Sequence, residues 1–227
     1  MRRILAIDTT TRWGGIALVT GGSAGTEPVV IAESGWFVDE SHTGGLPARI
    51  ERLLGEAGWS KRDLDAFAAT RGPGSFTGIR VGLGLLRGLA LATGRPCFGV
   101  TTLEALVAAH GPSERARLGL IAAGRGELYG CRFDAAGRPP IAEEPPWVAP
   151  QQDAVARGAE RGALLIPAPG TELALPASSA AAVAPAPRGI AAAAGCLVAW
   201  HHPGLAGPVP PLTPVYVRPP DVRLERR

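Results

Sequence analysis

At 227 residues and 46% hydrophobic content, the chain is long enough for one large domain or two small ones, and its composition is globular rather than disordered. A formal net charge of +3 is too mild to argue for a nucleic-acid partner, and with Lys61 the only lysine the arginine excess also follows from a GC-rich coding sequence. Three cysteines without a CxxC spacing argue against a disulfide framework and a zinc site, and they fit a reducing cytosol.

Ile4-Leu5-Ala6-Ile7 reads as a short buried strand, and Asp8 interrupts it too early for a signal peptide. A polar turn from Asp8 through Thr9, Thr10 and Thr11 to Gly15 leads to a second strand at 16–19, and residues 29–37 form a third. Thr43 is placed to cap a helix ending at Gly58, with Leu46, Ile50, Leu53, Leu54 and Ala57 at spacings of three and four. Residues 65–70 form a strand that runs into the breakers Gly72, Pro73 and Gly74. Ser75 then caps a helix over 76–93, stopped by Gly94 and Pro96. A strand at 97–100 and a helix over 103–109, capped by Thr101 or Thr102, follow. This order implies a mixed sheet with helices packed on it.

The helix over 76–93 holds Gly78, Gly82, Gly84 and Gly88, each costing about 1 kcal/mol against Ala in a helix interior. The glycines form two pairs, each four apart on one face. Two readings are open: close packing against the chain's own sheet, or a bare strip for a helix of another chain.

Beyond His110 the composition shifts, which divides the chain into a first lobe over 1–110 and a smaller one over 111–227. Strands at 118–123 and 127–133 flank a turn at 124–126. Residues 138–187 are rich in Pro and Ala, with short strands at 164–166 and 172–175. A helix runs from Gly189 to Trp200 and ends before Pro203. The terminal Arg223, Arg226 and Arg227 suit either RNA phosphate or a solvated end. No uncharged apolar run reaches membrane-spanning length, so no membrane partner is expected.

Catalytic chemistry finds little support. His42 and His110 stand alone, and the adjacent His201 and His202 point apart on a helix and cannot share a metal. Ser75 lacks the Gly-x-Ser-x-Gly setting of a nucleophile and reads as a cap. Arg80, near the positive end of its helix, either faces solvent or pairs with a carboxylate, for which Glu104 and Asp8 are the candidates.

The run Gly72-Pro73-Gly74-Ser75-Phe76-Thr77-Gly78-Ile79-Arg80-Val81-Gly82 resembles the signature of the bacterial TsaB (YeaZ) family, and so do the hairpin near Gly124 and the Tyr216 segment. The resemblance implies an α/β, ribonuclease-H-like (actin-like, ASKHA) fold of two lobes, the second degenerate. It implies a non-catalytic subunit that binds and activates the catalytic paralogue TsaD, together with the ATPase TsaE, in threonylcarbamoylation of tRNA. It also implies a partner face on the two helices over 43–58 and 76–93, with Ile50, Leu54, Gly78, Arg80, Val81, Gly82 and Leu85 as interface residues, and the same face allows homodimers. No cofactor is expected beyond ATP or ADP at an interface shared with partners. In that superfamily the first hairpin turn cradles phosphate, which makes Asp8, Thr9 and Thr10 a weak nucleotide site here. The competing reading is an enzyme acting alone, an ATPase or a glycoprotease-like peptidase; direct RNA binding through arginines is a third.

Overall fold

The structure is a computed structural model, and it describes residues 1–21, 26–38, 45–177, 179–203 and 212–218. Strands β1 (Arg2–Asp8), β2 (Trp13–Gly21) and β3 (Val29–Phe37) form an antiparallel meander. After α1 (Leu46–Glu56), strand β4 (Ala66–Thr70) joins β1 in parallel. Helix α2 (Phe76–Thr93) crosses to β5 (Cys97–Val100), parallel to β4, and α3 (Thr102–His110) follows. The sheet order is β3-β2-β1-β4-β5.

The second sheet starts with the hairpin of β6 (Arg117–Gly124) and β7 (Glu127–Phe133). Next come β8 (Trp147–Pro150), α4 (Gln151–Glu160), β9 (Leu164–Pro167), the short β10 (Ala182–Val183) and α5 (Ile190–His201). Its order is β10-β9-β6-β7-β8. Both sheets are mixed and carry helices, the α/β architecture that the element order implies.

The alternation of β1 explains the layering. Ile4 and Ala6 point into one core with α3 and α5, whereas Leu5 and Ile7 point into another with α1 and α2. A strand covered on both faces reads as a continuous apolar run. Helices α3 and α5 fill the space between the sheets, since their core also takes Ile121, Phe133 and Ile166 from the second sheet. Small residues set the closeness of α5 to β2: a Cβ on Gly195 would stand 2.7 Å from Val19 Cγ2.

By length and hydropathy α2 is long and apolar enough to cross a membrane. It joins two adjacent parallel strands and lays Ile79, Leu83 and Leu86 on their sheet, which makes it a crossover helix of the domain.

Several expectations are corrected. Helix α1 begins at Leu46 after Gly45, whose φ of 103° is left-handed; the cap expected at Thr43, like His42, lies outside the described residues. Residues 172–175 form no strand, and β8, α4 and β10 replace the irregular stretch expected there. Helix α4 is faint in sequence because it buries only Ala154, Val155 and Gly158 and starts directly after Pro150.

Candidate functional site

The turn after β1 is built around Asp8, which is 1% exposed. Its Oδ1 accepts hydrogen bonds from Thr10 N at 3.0 Å, Thr10 Oγ1 at 2.6 Å and Thr70 Oγ1 at 2.5 Å. Thr102 Oγ1 donates onward to Thr10 Oγ1 at 3.0 Å. Asp8 Oδ2 is buried and has no hydrogen-bond partner among the described residues. Burial pushes the Asp8 carboxyl above its ordinary value, while the Thr10 and Thr70 donors pull the other way. The cluster locks the ends of β1 and β4 to the start of α3.

The same turn locks α2. Thr9 Oγ1 donates to Gly78 O at 2.6 Å, and Ser75 N donates to Thr10 O at 2.8 Å. A Cβ on Gly78 would stand 1.8 Å from Thr9 O, and one on Gly82 would stand 2.5 Å from Thr9 Oγ1. These two glycines are bare because the chain's own hairpin lies against them. Gly78 and Gly82 therefore leave the set of outward interface residues. Asp8, Thr9 and Thr10, the weak nucleotide-site candidates, make hydrogen bonds that hold α2, α3 and β4. From this turn Thr10, Thr11 and Arg12 do line a cleft between the sheets, about 630 Å³ in volume, with Ser75, Ile121 and Thr171.

Ser75 caps α2 as the sequence implies, its hydroxyl accepting from Gly78 N at 3.2 Å. The outward side of the helix differs from the inward one. Among the described residues nothing would meet a Cβ on Gly84 or Gly88, Leu91 is 88% exposed and Phe76 is 45% exposed. Arg80 is exposed and lies 3.8 Å over the Phe76 ring. Neither expected carboxylate reaches it: Asp8 is held by threonines, and Glu104 Oε1 lies 2.8 Å from His201 Nε2. Val81 and Leu85 are half-buried at the edge of the core that the first sheet forms with α1 and α2, and Ile50 and Leu54 are core residues, so those two also leave the exposed set. The sequence showed both glycine pairs; the Thr9 contact, which depends on the hairpin's position in space, tells them apart.

A strap, residues 212–218, crosses the Gly72 turn beside α2. Val215 N donates to Arg71 O at 2.7 Å, the Arg87 guanidinium donates to Leu212 O, and the Tyr216 ring lies 5.4 Å from that of Phe76.

Groups able to do covalent chemistry are restrained. Burial pushes the Cys97 and Cys131 thiols up to about 12 and the Cys196 thiol up to about 11. Glu104 raises His201, while burial and His201 lower His202, which stacks on Phe98. Among the described residues no group of three His, Cys, Asp or Glu side chains is placed to hold a metal.

Comparison with known proteins adds independent findings. The profile of the family described as "TsaD: tRNA N6-adenosine threonylcarbamoyltransferase" matches residues 37–156. The chain is 35% identical over 133 residues to the tRNA threonylcarbamoyladenosine biosynthesis protein TsaB of Escherichia coli, covering 58% of this chain and 54% of that one. It is 38% identical over 118 residues to the tRNA N6-adenosine threonylcarbamoyltransferase of Thermus thermophilus, covering 48% of this chain and 36% of that one. These matches span about half, or less, of the relatives' own length. Among solved structures, YeaZ from Pseudomonas aeruginosa superposes with a TM-score of 0.70 at 25% identity, covering 95% of this chain and 100% of that one.

Proposed function

Since the chain belongs to the threonylcarbamoyltransferase-related family and, within it, to the TsaB (YeaZ) branch, we propose that it serves tRNA threonylcarbamoyladenosine biosynthesis as a binding subunit. In this reading it docks the tRNA N6-adenosine threonylcarbamoyltransferase, TsaD, through the open side of α2 and raises that enzyme's activity without a reaction of its own. The observation that carries it is the stripe on α2 where Gly84 and Gly88 face open space beside exposed Phe76 and Leu91. Bare backbone lets a partner helix approach closely. Helix α2 has Arg80 and Arg87 and no acidic residue, so carboxylates on the partner suit it. The ATPase TsaE and tRNA meet the assembled complex, and any ATP or ADP binds at a shared interface. A cytosolic location goes with this role.

Two features favour binding over catalysis. The one acid in the hairpin turn is buried among threonine hydroxyls, and the thiols are held protonated by burial. The test is reconstitution: threonylcarbamoylation of tRNA by the purified transferase and TsaE, with the adenylate donor supplied, is measured with and without this chain. Product formation rises at least tenfold with the chain and persists with Asp8→Asn. Equal activity without the chain, or hydrolysis of ATP or peptide by the chain alone that Asp8→Asn abolishes, contradicts the reading.

A further inference from the structure

The start of α2 carries a group that the helix itself does not supply. The strap 212–218 is seated there by two glycines, Gly72 of the turn before α2 and Gly99 of β5. A Cβ on Gly72 would stand 2.6 Å from Val215 O, and one on Gly99 would stand 2.8 Å from Leu212 Cδ1. Leu212 is buried in the core formed with α1 and α2, and Arg218 pairs with Glu127 of β7, so both ends of the strap are fixed. Between these anchors Tyr216 is held at the surface, 41% exposed against a half-open Phe76. Arg80 lies over Phe76.

From this point the open stripe continues along α2. Phe76, Arg80, Gly84 and Gly88 follow at steps of four, with Leu91 three further on, all on one side of the helix. Tyr216 therefore extends the stripe at its N-terminal end. Aromatic and arginine side chains ordered before binding are those that dominate protein–protein affinity, because little freedom remains to be lost.

We infer that Tyr216 is part of the docking face, forming with Phe76 and Arg80 an anchor at one end of the α2 stripe for the same transferase partner. The inference rests on the reading of α2 given above. The partner segment that fits is a helix edge with large apolar side chains to cover Gly84 and Gly88. A carboxylate at its end meets Arg80, and an apolar side chain packs on the two rings. The strap thus acts in recognition as well as in closing the fold.

Affinity for the purified transferase, measured by titration calorimetry, tests this with four proteins: wild type, Tyr216→Ala, Tyr216→Phe and Gly84→Trp. Tyr216→Ala is expected to weaken binding by tenfold or more with an unchanged melting temperature, and Tyr216→Phe to restore most of the loss. In parallel, hydroxyl-radical footprinting of the wild-type chain is expected to show Tyr216 protected in the complex, a readout independent of any variant's folding. If Gly84→Trp abolishes binding while Tyr216→Ala binds within twofold of wild type and Tyr216 stays unprotected, the strap lies outside the face and only this inference falls. If Gly84→Trp also binds like wild type, the reading of α2 falls with it.

Discussion

One helix carries two glycine pairs of the same spacing, and their surroundings are opposite. Gly78 and Gly82 face Thr9, whose carbonyl and hydroxyl occupy the room their side chains would need. Gly84 and Gly88 face open space among the described residues. A missing side chain is thus explained on the inner strip by the fold alone. On the outer strip it costs helix stability, about 1 kcal/mol per glycine against Ala, with no compensating contact among the described residues. The difference teaches that a glycine pattern identifies a close approach but not the body that approaches.

Substitutions on the two strips sharpen the contrast. The largest effect belongs to Gly78→Ala: a Cβ 1.8 Å from Thr9 O forces the first turn of α2 away and breaks the bond from Thr9 Oγ1 to Gly78 O. The expected loss is about 3 kcal/mol or more, a fall in melting temperature of roughly 6–12 °C by calorimetry. An unchanged melting temperature would mean that the hairpin does not hold the helix.

Next comes Asp8→Asn, which removes the charge beneath the inner strip. Burial raises the folded-state pKa of Asp8, so the wild type is relatively most stable below the unfolded value near 3.8. It loses that stability as pH rises through the folded value. The variant lacks this term, so its urea midpoint gains on the wild type as pH rises above the unfolded value near 3.8; a gain that shrinks with rising pH contradicts the assignment.

On the outer strip, Gly88→Ala meets nothing and improves helix propensity, so stability rises by about 0.5–1 kcal/mol. A fall would place an unseen neighbour at that position. The smallest effect is where the first turn of α3 meets the end of α5 and Glu104 raises the pKa of His201. This pair stabilises below the unfolded histidine value near 6.5 and fades as pH rises through the folded value. In Glu104→Gln the His201 titration followed by NMR moves down; no movement contradicts the ion pair.

Much of the first sheet was legible because its signals are local. Ser75, Gly94 and the continuous apolar run at Ile4–Ile7 each fix an element through their own chemistry. The second sheet was harder: β10 is two residues long, and α4 buries only small or weakly apolar side chains. The site was half legible. Composition showed that α2 is unusual, but which strip faces outward depends on Thr9, about 70 residues away along the chain. For Arg80 the sequence left a solvent-facing side chain and a carboxylate pair open; it is exposed and lies over the Phe76 ring, a contact that depends on packing. Phe76 and Leu91 carried no mark of exposure, since apolar residues in a helix read as core until the packing is known.

The central claim is that the outer strip of α2 is where the transferase docks. Its most direct test is the dissociation constant of the complex for wild type against Gly84→Trp. The account predicts at least a hundredfold weakening, about 2.7 kcal/mol, with the melting temperature of the free chain unchanged. Equal affinity for the two proteins would contradict it.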